Sequence, residues 1–342
     1  MNTDARRIAA VVVTRNRPVL LRQALDALRS QTRPPQHIIV VDNASGAPTV
    51  ELLRMLMARQ AKREAMVEAR SGAESKTASE PASDIPYAPT LEVRRSDINL
   101  GGAGGFALGL ERACAAGYDW IWLLDDDAIA RPAALCELER VLPELGADVG
   151  AVCGAVVEFN ALALQHRRRF GAWSGIETSL PAVVYTHGAP PAPIDTASFV
   201  GFLVAADAVA RAGLPCADFF LCYDDADYSL RLRRAGMSLW LAPASVIDHL
   251  RQPQGRLRAG VFGPRHYLNV RNRIVVAREH ARMPVAPALI ASGVGVALLF
   301  VSGGWRHADG WRWLGRALRD GYQGRLGAGP DVDQAGRIRV AR

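Results

Sequence analysis

Three consecutive aspartates, Asp125–Asp127, follow directly after the apolar run Trp120–Leu124. A short apolar run with aromatic residues is typical of a buried strand. In an α/β protein, ligands bind outside the carboxyl ends of such strands. Three adjacent carboxylates repel one another and favour a compensating cation, and Mg²⁺ or Mn²⁺ commonly shares carboxylate oxygens with a substrate phosphate. The triplet therefore predicts a divalent-metal site for a phosphorylated ligand rather than a solvated acidic turn.

A second acidic cluster contains Asp224, Asp225 and Asp227 and follows the apolar run Phe219–Tyr223, which we interpret as strand-like. A carboxylate separate from a metal site is suited to general-base work. Like-charge repulsion from its neighbours predicts a raised pKa for Asp225. The alternative interpretation is an acidic first helical turn that the helix dipole stabilises.

The elements around these clusters alternate between apolar runs and helical spacing. This alternation predicts an α/β fold with a mostly parallel sheet and right-handed crossovers. The predicted strands are Ile8–Val13, Ile38–Val41, Leu91–Arg94, Trp120–Leu124, Val149–Val157, Phe199–Ala205 and the short pieces Leu239–Ala242 and Ser245–Ile247. The predicted helices are 20–28, Val50–Met66, Phe106–Ala116, Pro132–Leu145 and 230–237.

Three further segments qualify this picture. The glycines that follow Asn99, including Gly101 and Gly102, would let backbone N–H groups approach an anion. Residues 69–89 are rich in Ser, Ala, Glu and Pro and predict a mobile surface insertion. Arg167–Ala197 contains several prolines and glycines and predicts an irregular active-site loop.

Past Pro264 the pattern changes to helices. Tyr267–His280 predicts an arginine-rich helix, and the uncharged run Val285–Val301 is at the short end of membrane-spanning lengths, about 17–25 residues. Trp305–Leu326 alternates tryptophan and leucine with arginine, which is typical of a basic interfacial helix. We expect peripheral or re-entrant membrane contact; the alternative is a helical pair packed on its own domain.

Composition sets broad limits on function. The chain has 342 residues, 49% hydrophobic and 22% charged, and a net charge of +7. A basic balance suits anionic partners, but no helix-turn-helix, zinc-finger or aromatic RNA-binding signature accompanies it, so we expect no nucleic acid partner. The five cysteines form no CxxC pair and predict reduced, buried thiols. The first apolar run is too short for a leader peptide.

Four motifs in this order resemble the family-2 inverting glycosyltransferases of the GT-A fold. The resemblance covers about Ile8 to His249 and rests on Val11–Arg17, Val40–Ser45, Leu124–Asp127 and Tyr223–Tyr228. Asn99–Phe106 and Asp224–Tyr228 are most similar to bacterial galactofuranosyltransferases, with rhamnosyltransferases next. The implied architecture is a Rossmann-like, mostly parallel sheet flanked by helices, with a C-terminal helical, membrane-associated extension. The implied domains are residues 1–260, catalytic, and 261–342, helical.

The resemblance also implies roles for individual residues. Asp125, Asp127 and His249 would hold Mn²⁺ or Mg²⁺ with the donor diphosphate. Asp225 would be the catalytic base, with Asp224 beside it. The nucleotide of the donor would lie along Thr14 and Arg15, and its pyrimidine base would contact Asp42. Asp126 would face the ribose or the donor sugar. The donor would also approach Asn99, Gly101 and Gly102.

The implied activity is transfer of galactofuranose, or next rhamnose, from a UDP- or dTDP-sugar. The acceptor would be a polyprenyl-linked glycan in cell-wall or surface polysaccharide synthesis, at the cytoplasmic face of the membrane. A nucleotidyltransferase is one alternative, although Thr14–Pro18 lacks the glycine of a phosphate loop. An inactive sugar-nucleotide binder is the other, and the intact acidic motifs argue against it. The oligomeric state is left open.

Overall fold

The computed structural model describes residues 6–74, 88–186, 188–251 and 261–329. Its strands are β1 (Ile8–Thr14), β2 (His37–Asn43), β3 (Thr90–Ser96), β4 (Trp120–Asp125), β5 (Ala128–Ala130), β6 (Val149–Glu158), β7 (Ala161–Leu162), β8 (Arg167–Phe170), β9 (Glu177–Ser179), β10 (Ala192–Ile194), β11 (Thr196–Ala197), β12 (Phe202–Ala205) and β13 (Ser238–His249). Its helices are α1 (Pro18–Arg29), α2 (Ala47–Glu74), α3 (Gly101–Ala115), α4 (Ala134–Val141), α5 (Ala206–Ala212), α6 (Asp224–Arg234), α7 (Pro264–His280), α8 (Val285–Val301) and α9 (Ala308–Gln323).

The first half of the chain builds the parallel part of the main sheet. Strand β1 pairs in parallel with β2 on one side and β4 on the other, and β3 joins β2. Every residue of β1 is buried, which is why its sequence is apolar almost throughout. The register places Thr14 beside Asp42 and Val13 beside Asp125, so the carboxyl ends of three strands meet at one edge. The predicted α/β fold is confirmed here.

The second half of the sheet is mixed. Strand β12 lies antiparallel between β4 and β6, whereas β13 runs parallel to β6 and brings His249 opposite Ala128 of β5. The two short pieces predicted for 239–247 are one strand, β13. Its pairing shifts register between Ala242 and Val246, around Pro243, which has no N–H for the ladder.

The glycine-rich segment lies inside α3 rather than before it. A Cβ atom on Gly105 would lie 2.6 Å from Cγ1 of Val13, and one on Gly109 would lie 2.3 Å from Cγ1 of Val11. These two glycines therefore permit close packing of the helix on β1. Helix α2 continues to Glu74, past the predicted end at Met66, so the start of the predicted 69–89 insertion is helical. Residues 75–87 of that insertion lie outside the described residues.

The predicted irregular loop 167–197 is wrong in part, since β8, β9 and β11 form a small antiparallel sheet within it. These strands have only two to four residues each, too few to produce a periodic pattern. Arg167 is fully buried, and its guanidinium donates hydrogen bonds to the carbonyls of Gly154 and Val200. These long-range hydrogen bonds of Arg167, rather than local strand propensity, hold the segment against β6.

Helices α7, α8 and α9 pack around a second apolar cluster that includes Val270, Ile274, Leu299 and Leu314. The helix predicted over Trp305–Leu326 spans only Ala308–Gln323, after a short 3₁₀ turn. Among the described residues, no helix combines the length and the apolar character that crossing a membrane requires.

Candidate functional site

The acidic triplet is anchored to the end of β1. Asp125 is the last residue of β4, and Asp126 and Asp127 form the turn into β5. The hydroxyl of Thr14 donates a hydrogen bond to Asp126 at 2.8 Å. Nη1 of Arg17 donates to Asp126 at 3.1 Å and to Asp127 at 2.9 Å. Both oxygens of Asp126 are therefore engaged by the protein, and this residue joins β1 to β4.

The outer members of the triplet meet His249. One oxygen each of Asp125 and Asp127 and one ring nitrogen of His249 lie within 4.8 Å of one another. Burial and the charge of Asp127 raise the pKa of Asp125 to about 7. Burial would lower the pKa of His249, but hydrogen bonds to Asp127 and Glu158 raise it to about 9. Two carboxylates and an imidazole at this spacing fit a divalent cation such as Mn²⁺.

Glu158 was not among the residues that the sequence indicated. It ends β6, and its Oε1 accepts hydrogen bonds from Nδ1 of His249 at 2.8 Å and Nε2 of His166 at 3.0 Å. Although burial opposes it, these two histidines lower the pKa of Glu158 below its usual range. The one available sequence signal was its position: like Asp125, it is a carboxylate at the end of an apolar strand.

The second acidic cluster follows a strained loop, not a strand. After a 3₁₀ turn at Ala217–Phe219, the backbone is left-handed at Phe220, Cys222 and Tyr223, with φ of 63°, 70° and 66°. The predicted strand at Phe219–Tyr223 is therefore wrong. An apolar aromatic run favours a strand locally, but here tertiary contacts override that preference.

Those contacts come largely from α7. The side-chain amide of Asn272 donates hydrogen bonds to the carbonyls of Phe219 at 3.0 Å, Leu221 at 2.9 Å and Cys222 at 2.8 Å. Asn272 is itself fully buried. The C-terminal helices thus support the loop that leads directly into Asp224.

Asp224 and Asp225 begin α6 and lie side by side. Burial raises the pKa of Asp225 to about 6, against the opposing charge of Arg168, and Glu177 adds to the rise. Burial, and then the charge of Asp225, raises the pKa of Asp224 well above its ordinary value. A raised pKa was predicted for Asp225, but from repulsion by Asp224 and Asp227; burial is the larger cause. Asp227 points elsewhere, 2.8 Å from Nε2 of His280.

A single cavity of about 860 Å³ connects the two acidic clusters. Asp125, Asp127 and His249 line it together with Asp224 and Asp225. The structure thus brings together all five residues that the sequence assigned to metal binding and catalysis. A metal-bound phosphate and a carboxylate base could act on one ligand in this space.

The residues predicted to bind the nucleotide are more dispersed. Asp42 lines a second cavity of about 1160 Å³, where it accepts a hydrogen bond from the backbone N–H of Ser45 at 3.0 Å and lies 3.2 Å from Nη1 of Arg95. Oδ1 of Asn99 accepts the N–H of Gly101 at 3.0 Å. Of the glycines, Gly102 lines the cavity that connects the two acidic clusters. The half-buried Arg15 follows Thr14 at the end of β1.

Comparison with solved structures supports the fold. The structure of S. aureus TarS 1–349 in complex with UDP-GlcNAc matches with a TM-score of 0.55 at 12% identity, over 93% of this chain and 81% of that one. GalNAc-T7 with UDP, GalNAc and Mn²⁺ matches with a TM-score of 0.54 at 12% identity, over 81% of this chain and 48% of that one. The GT-A type of α/β fold is thereby confirmed.

Sequence comparison identifies the family. Galactofuranosyltransferase GlfT1 of Mycolicibacterium smegmatis is 33% identical over 234 residues, and GlfT1 of Mycobacterium tuberculosis is 34% identical over 233 residues. Each match covers 67% of this chain and 66% of the relative, just under two thirds of the relative's length. A family model described as Glycosyl transferase family 2 matches residues 9–190, more than half of the chain. The chain belongs to glycosyl transferase family 2.

Proposed function

We propose that this protein is a metal-dependent inverting glycosyltransferase that uses a UDP- or dTDP-sugar, with galactofuranose favoured and rhamnose next. The proposed acceptor is a lipid-linked glycan of cell-wall or surface polysaccharide synthesis. The observation that carries the proposal is that the Asp125–Asp127–His249 cluster and the Asp224–Asp225 pair border one cavity. The galactofuranosyltransferase relatives support the sugar, and the TarS complex with UDP-GlcNAc and the GalNAc-T7 complex with UDP and Mn²⁺ support the nucleotide and the metal.

The metal cluster would hold the donor diphosphate. Asp125, Asp127 and His249 supply two carboxylate oxygens and one imidazole nitrogen to the cation. A bound divalent cation neutralises the charge that develops on a departing nucleotide diphosphate. Arg17 already pairs with Asp126 and Asp127, so it fixes the orientation of the turn that presents these ligands.

Asp225 would accept the proton of the acceptor hydroxyl as that hydroxyl attacks the sugar. Its raised pKa, about 6, is suited to a base that works near neutral pH. The backbone N–H of Ala226 donates to its Oδ1 at 2.7 Å and leaves the other oxygen available for a proton. Separate carboxylates for leaving-group and base functions are what an inverting displacement requires, as they are in glycoside hydrolysis.

Donor recognition would fall to the ends of β1 and β2 and the start of α3. Asp42 is the proposed acceptor for the N–H of a pyrimidine base, and Thr14 and Arg15 are proposed to lie along the nucleotide. Asn99, Gly101 and Gly102 are proposed to approach the donor at the start of α3. Asp126 would reach the ribose or sugar only by releasing one of its present partners.

We also propose that α8 and α9 hold the protein at the anionic cytoplasmic face of the membrane. Val285, Leu289, Val296 and Phe300 are exposed and share one face of α8. Trp305 and Trp311 are exposed beside Phe300, at ring separations of 5.9 and 6.2 Å. Exposed arginines of α9 would pair with anionic headgroups while the apolar residues enter the interface. The division of the chain near residue 260 stays a prediction.

The test is nucleotide release from a panel of UDP- and dTDP-sugars with polyprenyl-linked acceptors, with Mn²⁺, Mg²⁺ or a chelator. Release that needs acceptor and metal is expected, and Asp127→Ala should abolish it while the protein still unfolds in one cooperative transition. Asp207→Ala, at an exposed site on α5, is the matched control. Full activity in chelator would overturn the metal role. Pyrophosphate release from a nucleoside triphosphate and a sugar phosphate would instead indicate a nucleotidyltransferase.

A further inference from the structure

One face of α7 lines the cavity that connects the two acidic clusters, and the chemistry proposed above assigns no role to its residues. Arg265, Asn269 and Arg273 follow one another at intervals of four residues, so their side chains lie on the same side of the helix. All three border the cavity that also contains Asp224 and Asp225. This polar stripe, which we call the α7 stripe, extends about 12 Å along the helix axis.

The α7 stripe has unmet hydrogen-bonding capacity. Asn269 is 7% exposed, and its Oδ1 is buried without a hydrogen-bond partner in the described part of the chain. The same holds for Nε of Arg273, whose guanidinium lies over the ring of Tyr223 at 5.2 Å. Buried polar groups in native proteins are normally satisfied, so two such atoms on one side of the cavity favour a polar ligand there.

The charges of the stripe are also uncompensated locally. Neither Arg265 nor Arg273 forms an ion pair with a carboxylate of the described residues, whereas Arg168, across the same cavity, pairs with Glu177. Guanidinium groups favour phosphate and carboxylate through paired N–H donors. The ligand that fits therefore offers an anion to the arginines and a hydroxyl donor to Asn269.

We propose that the α7 stripe is the acceptor subsite, where Arg265 and Arg273 bind a phosphate or diphosphate group of the acceptor and Asn269 accepts a hydrogen bond from a sugar hydroxyl. This inference rests on the proposed glycosyltransferase function. The metal cluster comes from the end of β4, the turn that follows it and the end of β13, so it provides a separate place for the donor diphosphate. Helix α8, whose exposed apolar face is the proposed membrane contact, packs on α7 in the apolar cluster around Val270 and Ile274.

The test uses geranyl diphosphate as a probe and measures its dissociation constant by calorimetry, with UDP and Mn²⁺ present at saturation. We expect the probe to bind while the donor site is filled. Arg265→Gln and Arg273→Gln should each weaken that binding at least tenfold and leave the affinity for UDP unchanged. Arg273→Lys should restore part of it, because the charge remains. Asn269→Ala should leave the probe's affinity unchanged, because the probe has no sugar hydroxyl.

The matched control is Arg59→Gln, which removes the same charge from an exposed position on α2. Competition between the probe and UDP, or an equal loss of UDP affinity in Arg273→Gln, would assign the arginines to the donor diphosphate and overturn the proposal. An equal loss of probe affinity in Arg59→Gln would mean that the probe responds only to the net charge of the protein, and this result would also overturn the proposal. Failure of the wild-type protein to bind UDP with Mn²⁺ would instead count against the proposed function.

Discussion

Glu158 accepts a hydrogen bond from Nδ1 of His249 at 2.8 Å, and this bond leaves Nε2 of the same ring facing Asp127 at 3.2 Å. A histidine that binds a metal generally donates its other ring N–H to a carboxylate, which fixes the tautomer and the ring orientation. His166 donates a second hydrogen bond to the same oxygen of Glu158 at 3.0 Å and so fixes the carboxylate in turn. Glu158 is thus a positioning residue for the proposed metal site.

Glu158→Gln should weaken Mn²⁺ binding about 10- to 100-fold, the usual effect of losing such an outer partner. The neutral amide keeps the shape of the side chain but not the charge that orients His249. Calorimetric titration of the purified protein with Mn²⁺ measures the effect, and Glu144→Gln at an exposed position is the control. Unchanged Mn²⁺ affinity in Glu158→Gln would contradict this role.

Asp225→Asn should lower kcat about 10²-fold or more, because the amide cannot accept the acceptor's proton. Donor affinity should be nearly unchanged, since the metal cluster belongs to other elements. Initial-rate kinetics and UDP binding separate the two quantities. If Asp225 only caps α6, Asp225→Asn will lower the melting temperature and leave kcat unchanged. If Asp224→Asn is far more damaging than Asp225→Asn, the base is Asp224.

The pH dependence of kcat should report the same group. The pKa of Asp225 is raised to about 6, chiefly by burial, and the base acts only when it has lost its proton. Turnover should therefore rise roughly tenfold per unit as pH increases below about 6 and level off above it. Rates measured between pH 4.5 and 8 test this. A profile that falls with rising pH over that range would mean that the essential group acts as an acid.

Asn272→Ala should lower stability and kcat together, because it removes three hydrogen bonds to the left-handed loop before Asp224. The two N–H donors of the amide share these three carbonyls, so at about 1 kcal/mol for each donor the expected loss in free energy of unfolding is about 2 kcal/mol. Asn272→Asp keeps the shape but not the donors and should be equally impaired in kcat. UDP and Mn²⁺ affinity should be retained in both variants. Loss of that affinity in parallel with kcat would indicate general unfolding rather than a positioning role.

Leu289→Gln combined with Phe300→Gln should weaken binding to phosphatidylglycerol vesicles at least about tenfold, since two exposed apolar side chains no longer enter the interface. Removal of α8 and α9 is a poorer test, because it would expose the buried face of α7 around Val270 and Ile274. Sedimentation with vesicles at low and high salt measures binding, and Val19→Gln on α1 is the control. Absence of vesicle binding by the wild-type protein at low salt would make these helices packing elements only.

The sequence alone was sufficient for the parallel half of the sheet and for the two acidic clusters. Strands such as Ile8–Thr14 are buried on both faces, so they must be continuous apolar runs, and such runs are visible without any tertiary information. Carboxylates at their ends, such as Asp125, are conspicuous for the same reason. The family resemblance then related Asp225 and His249 to these carboxylates, although both lie about 100 residues or more farther along the chain.

Only the tertiary structure determined which residues support the site through contacts between segments that are distant in the chain. Glu158 became part of the site through His249, 91 residues away, and Asn272 determines a loop about 50 residues earlier in the chain. Local propensity predicted a strand at that loop, but hydrogen bonds from the buried side chain of Asn272 stabilise a left-handed backbone instead. The pKa of Asp225 likewise follows from burial, which depends on the packed fold. Periodicity is a local property that a sequence displays directly, whereas burial and long-range hydrogen bonds exist only once the chain has folded.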